Sequence, residues 1–486
     1  MNSSKKKPIK RIKIVNNELN LEAALKRPKL DTSNGEKASG SKEIHSIEEG
    51  KNMFQWIIDP LSVDEFMKIY WEKKPKLIKR NDQNYYSSLM SMETIHNMIK
   101  ENHLEYTKNI DITSYRDETR ETHNPEGKVT PAIWSFYEEG CSIRILNPQT
   151  YIPTVYKMNS KLQEYFHCMI GTNVYLTPKD SQGFAPHFDD IEAFVLQLEG
   201  SKHWRVYNPR DNFETLARTS SDNFPQNEVG SEPIIDVILE AGDLLYFPRG
   251  FVHQANTVED KHSLHITVSM YQKNAYADLL EILLPQALKQ AIESDVSFRQ
   301  GLPLNIHQIC GSVYTHDESK ERTNTREYIK NLFDKIFDHA DLDQAVDLMS
   351  KKFQHDALPP YISKHEKQRS VFGERVEIED GEVNFPFELK QETKIKLLKA
   401  NILRLVEEEE KFRVYFHTEN SKEYHEFEPT FLEIEEEDAG CIVMLVKSYP
   451  NYIAVKDLPI EDDERKILIA SDLWEKGLLM TDKAID

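Results

Sequence analysis

Residues 173–210 read NVYLTPKDSQGFAPHFDDIEAFVLQLEGSKHWRVYNPR, and the reading of this stretch decides the fold. Its β-branched and aromatic runs, NVYLTP, IEAFVLQLEG and KHWRVYNP, are separated by Pro178, Asp180, Gly183 and Gly200, which is the punctuation of successive strands. The same texture extends from about residue 130 to 275 through SIRIL, PIIDVIL, DLLYFP and HSLHITVSMY. Many short strands with turn signals between them imply a sandwich or barrel. Within the quoted stretch, His187-Phe188-Asp189 directly precedes the strand IEAFVLQLEG. Alternate strand residues project from one face, so this imidazole and carboxylate can chelate one ion.

Spacing alone does not single out this pair, because His103, His187, His316, His339 and His417 all stand two residues before an acid. Context separates them. His339-Ala-Asp341 falls in a helical pattern, where residues i and i+2 do not face each other. A third ligand is expected from a neighbouring strand. The run from Gly242 through Pro248, Arg249 and Gly250 to His253 shapes a tight strand-to-strand turn that presents His253 inward. His187, Asp189 and His253 then form a two-histidine, one-carboxylate facial triad, which leaves positions open on Fe(II). Two open positions suit a bidentate 2-oxo acid and the third dioxygen. Taken singly, each histidine reads more readily as a satisfied core residue, and the conjunction of the two flanking motifs reverses that.

A 2-oxo acid with a second carboxylate needs a cation deep in the barrel. Lys202 is expected on a strand paired back across a turn at Glu199–Ser201, on one face with Trp204 and Val206. An inward lysine among apolar neighbours is costly without an anion, whereas the other reading is a surface lysine that snorkels to water. His265, Thr267 and Ser269 alternate along a further strand, as donors to the same carboxylate or as sheet filler.

Around this centre, 486 residues exceed what one core usually holds, so two or more packing units are expected. Hydrophobic residues make up 39% of the chain and charged ones 29%, which excludes wholesale disorder. No apolar run is long enough for a membrane span, and the lysine-rich start does not read as a secretory signal. Cys141, Cys168, Cys310 and Cys441 lack CxxC spacing, which fits a reducing compartment. The first 29 residues hold nine Lys or Arg against Glu18 and Glu22, on a chain whose net charge is −21. KKKPIKRIK and KRPK there look like nuclear localisation clusters, or simply a solvated tail. The acidic remainder disfavours nucleic-acid binding by the folded body and attracts basic protein substrates.

Residues 1–52 are expected to be a disordered basic arm. Ser62 and Glu65 have capping-box spacing for a helix running to Pro75. Residues 276–370 read as a helical unit, with ADLLEILLPQALKQAIES and EYIKNLFDKIF. Residues 371–486, with 15 basic and 29 acidic positions, combine a helix over ETKIKLLKANILRLVEE, strands at FRVYFHT and EYHEFEP, and helices at AGCIVMLVKSY and ERKILIASDLWEKGLL. That order suits a small winged-helix-like domain.

The quoted stretch, with AGDLLYFPRGFVHQANT and HSLHITVSMYQ, resembles the JmjC-type 2-oxoglutarate oxygenases of the ribosomal oxygenase group. The likeness runs from WEKKPKLIKR (71–80) through FQHDALPP and ENSKEYHEFEP to DLWEKGLL. It implies a mixed α+β fold: a double-stranded β-helix (cupin/JmjC jelly-roll) over 53–275, a helical dimerisation unit and a C-terminal winged-helix-like domain. It makes His187, Asp189 and His253 the iron ligands and Lys202 the partner of the 2-oxoglutarate distal carboxylate. Asn173, Tyr175 and Ser269 match positions lining the cosubstrate and substrate pocket, and Arg144 matches a residue near the substrate. The implied partner is a large-subunit ribosomal protein hydroxylated on histidine, with demethylation of methylated histone H3 as the alternative. A homodimer in the nucleus, in its nucleolus, is implied as well. An intact triad and lysine disfavour a non-catalytic adaptor. The lysine and the winged-helix tail disfavour a cupin isomerase or storage protein.

Overall fold

The computed structural model describes residues 45–230, 232–373, 377–379, 381–384, 387–423 and 428–485. The expected basic arm lies outside these residues as far as position 44. Its expected end at 52 is corrected, because helix α1 (Ser46–Ile58) has already begun. Ser46, Gly50, Phe54, Ile57 and Ile58 of α1 are buried, and a Cβ at Gly50 would lie 2.3 Å from the Lys161 carbonyl. The polar text SIEEG therefore conceals a packed face, which composition alone reads as tail.

Helix α2 (Val63–Ile69) starts where expected, with the Ser62 hydroxyl accepting from the Glu65 N–H, but stops well short of Pro75. Strand β1 (Lys76–Ile78), α3 (Met92–Glu101), β2 (Ile110–Arg116), β3 (Thr119–Thr122), α4 (Ile133–Glu138), β4 (Ser142–Leu146) and α5 (Pro153–Phe166) follow. Then come β5 (Gly171–Thr177), β6 (Glu192–Tyr207), β7 (Ile235–Glu240), β8 (Leu244–Phe247), β9 (Val252–Thr257) and β10 (Ser263–Met270). The sheet order is β1-β8-β6-β10-β5-β4-β2-β3, with β7 and β9 attached to β6, and the pairings are antiparallel. This is the jelly-roll that the resemblance implies, and it satisfies the sandwich or barrel expected from the texture.

One expectation about it was wrong in a way that matters. IEAFVLQLEG and KHWRVYNP are not two strands joined by a turn; β6 runs unbroken through Glu199, Gly200 and Ser201. Gly200 has φ +64, and a Cβ there would sit 1.9 Å from the His262 carbonyl, so only glycine permits this bend. Before it β6 pairs with β8 and β10; after it with β7 and β9. One strand thereby crosses from one sheet to the other. Along β6, Phe194, Leu196 and Leu198 join the large core beneath α1, α2, α3 and α5. Ala193, Val195, Trp204 and Val206 point instead between the sheets, with Leu239, Leu245, Phe247 and Phe251.

Beyond the barrel lie α6 (Tyr276–Ser294), α7 (Ile306–Ile309), α8 (Lys320–Phe337) and α9 (Leu342–Asp356). His339-Ala-Asp341 is not helical: it occupies the turn before α9, where Asp341 accepts from the Gln344 N–H. The last part comprises α10 (Lys364–Lys367), β11 (Glu377–Glu379), β12 (Glu382–Asn384), β13 (Lys394–Leu397), β14 (Leu403–Glu408), β15 (Lys411–Phe416), β16 (Phe431–Ile434), α11 (Ala439–Ser448), β17 (Ile453–Ala454), α12 (Asp463–Glu475) and β18 (Leu479–Thr481). The helix expected over ETKIKLLKANILRLVEE is corrected to two strands, β13 and β14. Tertiary partners decide this, because β13 is buried between β17 and β18. The break between the strands is pinned to α1 and α5: the Ala400 N–H donates to Ser46 Oγ at 2.9 Å and Asn401 Nδ2 to the Glu164 carbonyl at 2.8 Å. The same Ser46 hydroxyl donates to the buried Glu164 carboxylate, and its backbone N–H to the Tyr449 hydroxyl. Of EYHEFEP, residues 424–427 lie outside the described residues.

Candidate metal centre and its two clefts

The local fold that presents the ligands begins with one short pairing outside the main strands. His187 and His253 form an isolated antiparallel bridge, with the His253 N–H donating to the His187 carbonyl at 2.8 Å. Gly250, at φ +88, turns the chain between β8 and β9, and its N–H donates to the Asp189 carbonyl at 2.9 Å. The backbone thus fastens all three residues before any ligand is considered.

The side chains are pre-aimed too. His187 Nδ1 lies 2.9 Å from the Ala185 carbonyl and His253 Nδ1 3.1 Å from the Phe251 carbonyl. A carbonyl can only accept, so each Nδ1 carries the proton and each Nε2 offers a lone pair. Both Nε2 atoms face Asp189, at 3.8 Å from Oδ1 and 3.7 Å from Oδ2. The ligand atoms of the three residues lie within 4.8 Å of one another, and among the described residues they are the group of three or more that could hold a metal ion. Burial, then the neighbouring His187, pull the His253 imidazole down to about 4, which keeps it neutral and able to bind a cation.

Two clefts meet here, sharing Tyr175, Phe184, His187, Asp189 and Thr267. The inner one, about 500 Å³, reaches down to Lys202, Trp204 and His265. Lys202 is 3% exposed, and its ammonium donates to Thr177 Oγ1 at 3.1 Å. The only carboxylate among the described residues lining this cleft is Asp189, and burial pulls the lysine down to about 7. Trp204 Nε1 and His265 Nδ1 are buried there without a hydrogen-bond partner. A desolvated cation with orphaned polar atoms beside it fits a small dianion whose far carboxylate rests on Lys202, and the surface-lysine reading fails.

The outer cleft, about 1110 Å³, is polar. Asn173 and Ser269 line this cleft, whereas Tyr175 and Thr267 line both. Arg144 also lines it, with Nε donating to Asp111 Oδ2 at 3.1 Å. Sequence reasoning missed Arg120, whose guanidinium lies 4.7 Å from the Phe184 ring centroid and whose Nε is buried without a hydrogen-bond partner. It also missed Ser220, Ser221 and Gln272. No local motif marks these residues, because only the folded chain brings them to one wall.

Comparison with known proteins finds likenesses along most of the chain. The JmjC domain family model matches residues 144–279, and that of the ribosomal oxygenase 1 C-terminal winged helix domain matches residues 358–485. The chain is 54% identical over 460 residues to an Aedes aegypti protein named bifunctional lysine-specific demethylase and histidyl-hydroxylase NO66, covering 94% of this chain and 72% of that one. It is 45% identical over 461 residues to the Drosophila melanogaster protein of the same name, covering 93% and 70%. Among solved structures, that of Escherichia coli ycfD aligns with a TM-score of 0.45 at 15% identity, covering 87% of this chain and 99% of that chain.

Proposed function

The chain belongs to the JmjC-domain family of bifunctional lysine-specific demethylases and histidyl-hydroxylases, and from that premise we propose that it is an Fe(II)- and 2-oxoglutarate-dependent oxygenase hydroxylating a histidine of a large-subunit ribosomal protein. The observation that carries the reading is the conjunction of a His-Asp-His cluster with a buried ammonium at the end of the same cleft. His187, Asp189 and His253 would hold the iron, and Lys202, with Thr177 beside it, would hold the distal carboxylate of 2-oxoglutarate. When bound, iron, 2-oxoglutarate and dioxygen together supply an oxidant that replaces a C–H bond by C–OH, with succinate and carbon dioxide as coproducts.

The chain's own part is placement. The bridge between His187 and His253, with the Ala185 and Phe251 carbonyls at their Nδ1 atoms, keeps both imidazoles aimed. Trp204 and Phe247 exclude water from the inner cleft, which strengthens the contact between Lys202 and a carboxylate. Arg144, Asn173, Tyr175 and Ser269 then face whatever enters the outer cleft. Their polarity selects between the two activities in the relatives' names. Methylammonium recognition uses clustered aromatic faces, whereas the aromatic residues lining this cleft are Tyr175 and Phe184 among donors and acceptors. Such a wall suits hydrogen bonds to an imidazole and its flanking backbone.

One assay with two readouts decides. Recombinant protein with iron, 2-oxoglutarate and either ribosomal-protein or methylated histone H3 peptides should add one oxygen to a histidine. Demethylation with formaldehyde release, and no oxidised histidine, would replace this reading by the alternative.

We also propose that the chain pairs with a second copy through α6 and α8. Leu280, Leu284, Leu288 and Ile292 are exposed at helical spacing on α6, as are Ile329, Phe333 and Phe337 on α8, and an apolar stripe of this length on a water-facing helix marks an interface. Sedimentation at micromolar concentration should give a dimer, and a monomer refutes the pairing. Nuclear and nucleolar residence is proposed from the basic clusters of the N-terminal arm, and a fluorescent fusion lacking residues 1–29 should lose it.

A further inference from the structure

Between β6 and β7, residues 208–230 cross the face of the barrel that carries the metal ligands. They pair with the ligand-bearing segment on both sides of Asp189. The Phe188 N–H donates to Ser221 Oγ at 2.9 Å and the Ser221 N–H to the Phe188 carbonyl at 3.0 Å. The Asp190 N–H donates to Ser220 Oγ at 3.2 Å, and that hydroxyl donates back to Asp190 Oδ1 at 2.8 Å. A hydroxyl can do both at once, which an alanine methyl cannot. Underneath, Ala217, Phe224 and Val229 pack with Phe188 and Val252. The Glu214 carbonyl lies where a Cβ of Gly250 would be, at 1.8 Å, so the segment also rests on the turn that presents His253.

The segment is tied outward as well. The Arg218 guanidinium donates to Asp278 Oδ1 and to both oxygens of Glu281, each at 2.8 Å, and both acids lie in the first turns of α6. Gln272, just ahead of α6, donates to Asp190 Oδ2 at 2.8 Å. Ser220, Ser221 and Gln272 at the same time line the outer cleft.

We propose that residues 208–230 are a latch, with Arg218 and Ser220 as positioning residues that let α6 set the substrate wall of the outer cleft against Asp189. This rests on the oxygenase reading for what enters the cleft. It assigns a second consequence to the helical unit, because whatever moves the start of α6 moves that wall. A merely structural segment would, when weakened, loosen metal, cosubstrate and substrate together. A latch on one wall changes substrate binding and leaves the inner cleft alone.

The test uses the full-length protein carrying Arg218→Ala or Arg218→Lys, with Ser220→Ala as a second variant. Hydrogen exchange without substrate should accelerate about tenfold at the amides of Phe188, Asp190, Ser221 and Phe224 in Arg218→Ala, while β10 amides keep their protection. The KM for the best wild-type peptide substrate should rise about fivefold with kcat little changed. 2-Oxoglutarate affinity, measured by calorimetry with Mn(II) in place of iron, should stay within about twofold. Arg218→Lys should recover part of the KM, and Ser220→Ala should exceed Arg218→Ala. Unaltered exchange at the four amides, or equal losses in 2-oxoglutarate and peptide binding, overturns the latch. If the wild type turns over no peptide, the oxygenase reading fails and the exchange experiment alone decides the latch.

Discussion

The inner and outer clefts share Asp189 yet are built by different means. Apart from Phe184, Ala185, His187 and Asp189, the inner cleft is lined from β5, β6, β8, β9 and β10, so most of its residues are fixed by sheet register, and Lys202 and His265 at its end are buried. The outer cleft shares β5 and β10 with it and adds residues from β3, β4, the latch and the stretch after β10, segments that only the folded chain brings together. A cosubstrate shared by many oxygenases can be held by rigid strand positions. A particular protein substrate has to be read by segments that can vary without disturbing the barrel.

The contrast can be broken most severely at the point both clefts share. Asp189→Ala or His187→Ala should abolish 2-oxoglutarate turnover while thermal unfolding stays cooperative, because the cluster lies outside the main core. Wild-type turnover in either variant would remove the metal assignment. Next, Lys202→Ala should weaken 2-oxoglutarate roughly ten- to a hundredfold by removing one charge-assisted contact of about 1.5–3 kcal/mol. Calorimetry with Mn(II) measures it, and the same variant should bind metal and peptide as before.

Proton linkage sharpens the contrast further. Burial holds the Lys202 ammonium down to about 7, and a carboxylate bound beside it favours the charged form and raises it again. Binding above pH 7 must then take up a proton, and affinity must fall as pH rises through that region. Titrations in buffers of different ionisation enthalpy should show uptake growing from pH 6 to about 8.5; no uptake would mean that the lysine is already charged. The smallest effect is expected at the outer wall. Arg144→Ala should raise peptide KM by roughly five- to tenfold, the scale of one ordinary hydrogen bond, because its guanidinium is already shared with Asp111, with 2-oxoglutarate affinity unchanged. A variant that loses both affinities would erase the distinction between the clefts.

The same division governs how much was legible in the sequence. His187, Asp189 and His253 stood out because two short motifs, each within a dozen residues, encode their local geometry. Lys202 was found through alternation with Trp204, although the turn assumed at Gly200 was wrong: a glycine that bends a strand and one that ends it look alike in a sequence. The stretch from Glu392 to Glu408 misled for a related reason. Its lysines and leucines satisfy a helical period, yet burial of β13 between β17 and β18 overrides local preference. Arg120, Ser220 and Gln272 could not be found at all, since their meaning lies in partners far away along the chain.

Ser46 carries a consequence for the order in which the molecule assembles. Its side chain and backbone reach Glu164, Ala400 and Tyr449, so the first described helix is completed by residues made more than 350 positions later. A chain emerging from the ribosome can close its barrel early, but Glu164 stays short of its full set of partners until the last domain arrives. Contacts of such long separation form late and slowly. Helix α1 is therefore finished only once Ala400 and Tyr449 are in place, and a chain still lacking them leaves an open carboxylate as the mark of its immaturity.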